Sequence, residues 1–224
     1  MDLFKYTAHE LHEKLVNKEI TAVELTNAVY DRIAAVDEQV NAYISLSKEE
    51  ALAKAAEVDA KIAAGEAIAP LAGIPVVFKD NINIYGQVTS CASKMLQGVE
   101  TVFDAHVTEE LRKEDAVFLG KANMAEFSIG NTTDNSFNGA VHNPWNLNCT
   151  TGGCATAAAV AAGEAIWALA SDTSGDLRQP AAYAGCVGIK PTYGRVSRLG
   201  LAAYASSMDQ IGAVTKDVTD AATV

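Results

Sequence analysis

Residues 71–82 read LAGIPVVFKDNI. Within this stretch, Ile74 to Phe78 is an unbroken apolar run that stops at Lys79 and Asp80. The run is shorter than an ordinary helix and does not alternate, so it reads as a strand buried on both faces. The shape recurs downstream. Ala116 to Leu119 is apolar and ends at Gly120 and Lys121, and Ile166 to Ala170 forms a third run. Between these runs the spacing predicts a helix at roughly Val107 to Lys113 and an Ala-rich helix from about Thr156 to Glu164. A glycine-punctuated loop is expected from Gly130 to Thr151. Strand–helix–strand alternation predicts an α/β sheet covered by helices on both faces.

Upstream of Leu71 the pattern is helical. Three pairs of a hydroxyl residue and a glutamate three positions on predict capped helix starts, at Thr7 and Glu10, Thr21 and Glu24, and Ser47 and Glu50. The second helix is expected to bury Val23, Leu25, Val29 and Ile33 on one stripe. The third runs through ALAKAAEVDAKIAA and stops at Gly65, a residue suited to a left-handed helix end. Pro70 then marks a loop. The expected organisation is one domain over 1–224, with a helical layer at 1–69 and a sheet core at 70–224.

The 224 residues carry a formal net charge of −11, which disfavours broad electrostatic binding to nucleic acid. Nothing in MDLFKYTAHELHEKL resembles a secretory leader, and no run of apolar residues suits a membrane span. The four cysteines, Cys91, Cys149, Cys154 and Cys186, form no CxxC pair, so reduced thiols and a cytoplasmic location are expected. His9 and His12 share a helix face, which reads as a solvated face.

From Thr151 to Val214 the chain is richer in glycine and small residues than packing requires. The segments SDTSGDLRQPAA and GCVGIKPTYGRVSR are too long for a turn alone. They resemble the signature of the amidase-signature family, GGSSGGS, an Ala-rich helix, SDTGGSIRxPA, then GxKPTxGRVS. LAGIPVVFKDNI is similar to that family's lysine strand. CASKML at Cys91 to Leu96, LGKANMAEF at Leu119 to Phe127, NPW at Asn143 to Trp145, and Lys190 to Gly212 are similar to its A-subunit branch in aspartyl/glutamyl-tRNA amidotransferases. The resemblance covers essentially the whole chain.

What the resemblance implies is an α/β/α sandwich on a mixed sheet, with serine chemistry on glutamine. A serine hydroxyl attacks an amide only when a base takes its proton. In the family a lysine does this through a second serine held by a cis peptide, and turn N–H groups hold the oxyanion. Carried over by residue, Lys79 takes the base position. Cys154 falls at the cis-serine position, in a loop (Gly152 to Thr156) two residues short, with Thr156 at the last serine. The thiol can in principle relay a proton or attack. Asp176 falls at the nucleophile position, and Thr173, Ser174 and Gly175 form the oxyanion turn. Arg178, Asp209 and the Thr192–Arg195 turn are expected to brace that turn from within the fold.

An aspartate is a poor substitute for the serine, since its attack on an amide would give an anhydride. The expected state of the site is therefore an ion pair, or a water-bridged one, between Lys79 and Asp176, and an impaired or inactive amidase. The alternative is a non-catalytic amidase-fold scaffold or binding protein. Family members run to roughly twice this length, and their second half completes the substrate pocket. The resemblance implies no metal or organic cofactor for the amide step. It implies ATP and Mg²⁺ for a partner's step, subunits B and C as partners, and tRNA as an indirect one.

Overall fold

The structure, a computed structural model, describes residues 2–224. After a 3₁₀ turn at Leu3–Lys5 come α1 (Ala8–Val16), α2 (Ala22–Val40), β1 (Tyr43–Leu46) and α3 (Lys48–Ala64). The sheet then builds through β2 (Pro75–Lys79), α4 (His106–Lys113) and β3 (Val117–Ala122). A hairpin of β4 (His142–Asn143) and β5 (Asn146–Thr150) leads to α5 (Thr156–Ala162), β6 (Trp167–Asp172) and α6 (Arg178–Ala184). The last elements are β7 (Val187–Ile189), β8 (Gln210–Thr215) and α7 (Val218–Thr223).

The main sheet has the order β1-β3-β2-β6-β8-β7. Its centre, β3-β2-β6, is parallel, while β1 and β8 add antiparallel to it and β7 adds antiparallel to β8. This is a mixed α/β architecture. The three apolar runs are the three parallel strands, and β2, β3 and β6 are buried along their whole length. Trp167, Phe78, Ile74 and Leu119 sit at the centre of the core without solvent contact.

Helix starts follow the capping pattern at two of the three positions. Thr7 and Thr21 each accept from the N–H three residues on, and Glu10 and Glu24 reach back to the cap N–H. Ser47 makes no cap bond; its hydroxyl instead accepts from Gln87 Nε2 at 2.8 Å. A distant amide therefore outcompetes the local one. Thr21→Ala is expected to cost about 1 kcal/mol in urea unfolding. A loss indistinguishable from zero would show that Asp59, whose carboxylate also accepts from Ala22 and Val23, caps α2 alone.

Three other departures from the sequence reading lie between Val23 and Thr151. The helical layer contains a strand, β1, paired to β3 at the sheet edge. The Gly130–Thr151 loop contains the β4–β5 hairpin. On α2, Leu25, Val29 and Ile33 are buried, but Val23 is only partly so.

Candidate active site

Lys79 is the last residue of β2, and Ser171 lies near the end of β6, its parallel neighbour. Both therefore project from the carboxyl ends of parallel strands, where open α/β sheets place their ligands. The Lys79 ammonium is fully buried and donates to Ser171 Oγ at 2.9 Å and to the Ser171 carbonyl at 3.3 Å. Asn81 Nδ2 donates to the same Ser171 Oγ at 2.9 Å and to Ser128 Oγ at 3.3 Å.

Beyond β6 the chain turns through Thr173, Ser174 and Gly175 to Asp176, then enters α6. Asp172 organises this turn. Its carboxylate accepts from the N–H groups of Gly175, Leu177 and Arg178, and from Arg178 Nε and Nη2, both at 2.9 Å. Burial alone would raise the Asp172 pKa, but the Arg178 guanidinium and the turn amides outweigh it and hold the carboxyl below its ordinary value. Gly175 has φ +130°, a conformation that favours glycine.

This folding of the turn brings Asp176 over Lys79. Asp176 Oδ2 lies 3.9 Å from Lys79 Nζ, close enough for the expected ion pair, and both side chains are buried. Among the described residues Oδ2 has no hydrogen-bond partner. Burial raises the Asp176 carboxyl above the ordinary carboxylate range, with Lys79 offsetting part of the effect.

Cys154 is also buried, but its sulfur meets Thr156 Oγ1 at 3.2 Å. The peptide bonds of the described residues are all trans. The loop carrying Cys154 is instead stitched to the end of β3, through Ala125 N to the Gly153 carbonyl and Ala155 N to the Asn123 carbonyl, both 2.9 Å. The structure thus brings Lys79 and Asp176 together and turns the Cys154 thiol toward Thr156.

Of the expected braces, Asp209 is buried and accepts from Thr173 Oγ1 and from the N–H groups of Tyr204 and Ala205. Arg178 is paired with Asp172, yet its side chain is 51% exposed. The Thr192–Arg195 turn does not brace the motif. It is exposed, and its link to the core runs from Gly194 N to Gln210 Oε1 on β8. The KPTYGR stretch is polar, and only its Gly194 N–H finds a buried acceptor.

Sequence reasoning missed Ser171, Asn81 and Ser128 around Lys79. It also missed Lys121, a second fully buried lysine one strand away. Lys121 lies 3.7 Å from Asp80 and donates to Thr89 Oγ1 at 3.1 Å and to the Ile82 carbonyl. The available signal was the repeated strand ending, FKD on β2 and GKA on β3. Phe127 and Ser128, with φ of +51° and +61°, place Ser128 beside Asn81 in a backbone region that non-glycine residues seldom adopt.

A separate apolar groove of about 390 Å³ lies on the sheet, lined by Leu169, Ile211 and Ala213 with Leu111 of α4 and Ala221 of α7. It does not include Lys79 or Asp176. Among the described residues no helix is long and apolar enough to cross a membrane.

A buried lysine facing a structured turn across the carboxyl ends of a mixed sheet marks an α/β protein with a strand-end site. The Amidase family model matches residues 24–224, and the chain belongs to that family. The glutamyl-tRNA(Gln) amidotransferase A-subunit of Desulforamulus reducens is 54% identical over 226 residues, a match covering 100% of this chain and 47% of the relative. The same-named protein of Geobacter sp. is 51% identical over 99% of this chain and 46% of its own length. The solved A-subunit of glutamyl-tRNA(Gln) amidotransferase from Thermotoga maritima has 41% identity and a TM-score of 0.84, over 99% of this chain and 46% of that one. The native peptide amidase from Stenotrophomonas maltophilia has 36% identity and a TM-score of 0.91, over 97% and 46% respectively. The chain spans about half the length of the curated relatives it matches.

Proposed function

We propose that this chain derives from the glutaminase component of a tRNA-dependent amidotransferase and is impaired in glutamine hydrolysis. In this reading that component releases ammonia from the glutamine side chain. A partner protein then uses it, with ATP and Mg²⁺, to amidate glutamyl- or aspartyl-tRNA. Subunits B and C are the implied partners, tRNA reaches the assembly through them, and the setting is cytoplasmic. The identity of about half the residues with proteins of that name supports the substrate class.

The observation that carries the impairment is the 3.9 Å approach of Asp176 to Lys79. The carboxylate stands where the resemblance puts the nucleophile. It occupies the lysine that would serve as base, and a paired ammonium takes no proton from a hydroxyl. This reading gives Cys154 no catalytic role; its buried thiol sits against Thr156 Oγ1. The same facts favour a second reading, a scaffold or binding protein that keeps the amidase fold without its chemistry.

Ammonia release from glutamine, measured on the purified chain with and without partner subunits, tests the proposal. The expected result is no release above that of an Asp176→Ala or Lys79→Ala variant. Steady release by the unaltered chain that either substitution abolishes would overturn it.

A further inference from the structure

We propose that Lys79 and Asp176 form an intramolecular amide crosslink, Nζ to Cγ, within the folded chain. The starting geometry is already close. Nζ and Oδ2 are 3.9 Å apart, the lysine side chain has no solvent exposure and the aspartate side chain has 4%. Each is set on a fixed element, Lys79 at the end of a central strand and Asp176 in a turn organised by five bonds to Asp172.

The chemistry needs the amine and the acid, not the ammonium and the carboxylate. The condensing species is a minor form of the resting ion pair, reached when one proton passes from Nζ to Oδ2; in a buried site, losing both charges lowers the cost of reaching it. Asp176 Oδ2 has no hydrogen-bond donor to hold it ionised, and burial raises its carboxyl. Ser171 Oγ, 2.9 Å from Nζ, is placed to take and return a proton during the transfer.

The step balances without a further reactant. The Nζ lone pair attacks Cγ and forms the C–N bond. The C–O bond to the protonated oxygen breaks, that oxygen takes the second proton shed by nitrogen, and one water leaves. In bulk water the equilibrium does not favour such a condensation. Well-oriented groups within one molecule reach effective concentrations of roughly 10⁵–10⁸ M, and a dry site withholds the water that would reverse the step. Nζ needs to approach Cγ to about 3–3.5 Å for the attack.

The inference rests on the geometry of the pair, not on the glutamine reading. A linked chain and an unlinked one both fit the absence of ammonia release, so failure here is distinguishable from failure there. The test is intact mass spectrometry of the folded full chain after incubation at mildly alkaline pH, followed by peptide mapping. The expected result is a population lighter by one water, with a branched peptide joining the Lys79 and Asp176 segments. Asp176→Asn is expected to form the same bond with loss of ammonia, while Lys79→Arg and Asp176→Ala keep full mass. Unchanged mass in the folded wild-type chain overturns the proposal. So does a water loss that maps to a cyclic imide within a single peptide, or one that persists in Lys79→Arg. Circular dichroism on each variant confirms that the site compared is a folded one.

Discussion

Lys121→Met is expected to destabilise the chain by about 3–5 kcal/mol at pH 7, the range for removing one partner of a buried ion pair. Lys121 has no solvent exposure, and Asp80 beside it is 1% exposed. Burial pushes the Lys121 ammonium down to about 8, with Asp80 opposing the shift, and pushes the Asp80 carboxyl up, with Lys121 opposing that shift. The pair does more than balance charge. Asp80 Oδ2 accepts from the N–H groups of Ser90 and Ala92 and from Ser90 Oγ, while Lys121 holds Thr89 and the Ile82 carbonyl. Together they fasten the Thr89–Ser93 loop, where Cys91 and Ala92 sit at φ of about +51° and +52°, onto the ends of β2 and β3. Methionine fills much of the space but leaves Asp80 without its cation.

The sign of the pH dependence follows from the remaining carboxyl. Asp80 without Lys121 has a folded pKa raised further above its unfolded value. Its neutral form is tolerated, so stability is fully present below the unfolded value and is lost as pH rises through the folded one. The deficit of Lys121→Met should therefore shrink when unfolding is measured at pH 4 to 5 instead of pH 7. A loss under about 1 kcal/mol at both pH values would mean that the pair contributes no more than a surface bridge.

How much of this could be read in advance depended on whether a feature is local. The strands β2, β3 and β6 were legible because burial on both faces demands an uninterrupted apolar run. The strand β1 was not. It has four residues, only Tyr43 of which is buried, and it lies between two helices, so no period has room to show. Its place in the sheet comes from pairing with β3, whose Gly120 lies so close to the Ser45 carbonyl that an added Cβ would collide with it. Ser47 shows the same limit, since its hydroxyl is claimed by Gln87, forty residues away. At the site, Lys79 and Asp176 were legible from the motif. Ser171 and Asn81 were not, because their meeting with Lys79 is created by the parallel register of β2 and β6. Lys121 escaped for a related reason: a lysine reads as solvent-facing until a neighbouring strand supplies its carboxylate.

Glu164→Gln is expected to stabilise the chain by roughly 3–5 kcal/mol at pH 8 while changing little at pH 4 to 5. Glu164 follows the left-handed end of α5 at Gly163 and precedes β6. It has no solvent exposure, and neither carboxyl oxygen has a hydrogen-bond partner among the described residues. Its backbone is engaged instead: the carbonyl accepts from Tyr43 Oη at 2.7 Å and the N–H donates to the Ala159 carbonyl at 2.8 Å. Burial, reinforced by nearby Asp37 and weakly opposed by Arg32, pushes the carboxyl from 4.5 up to about 9. The folded chain therefore keeps Glu164 protonated at neutral pH, whereas the unfolded chain ionises it. For a carboxyl whose folded pKa is raised, the contribution is complete below the unfolded value and is lost as pH climbs toward the folded value. At about 1.4 kcal/mol per unit, the interval from 4.5 to 8 accounts for the expected gain. Glutamine has the shape of the protonated acid and no proton to lose, so its buried amide leaves the low-pH stability near that of wild type. Lys121 and Lys216 both titrate near 8 when folded, which confines the comparison to pH values up to 8. The measurement is urea unfolding of both chains at intervals from pH 4.5 to 8. Wild-type stability should fall relative to the variant throughout that window, and parallel curves would show that Glu164 is ionised and solvated in the folded chain.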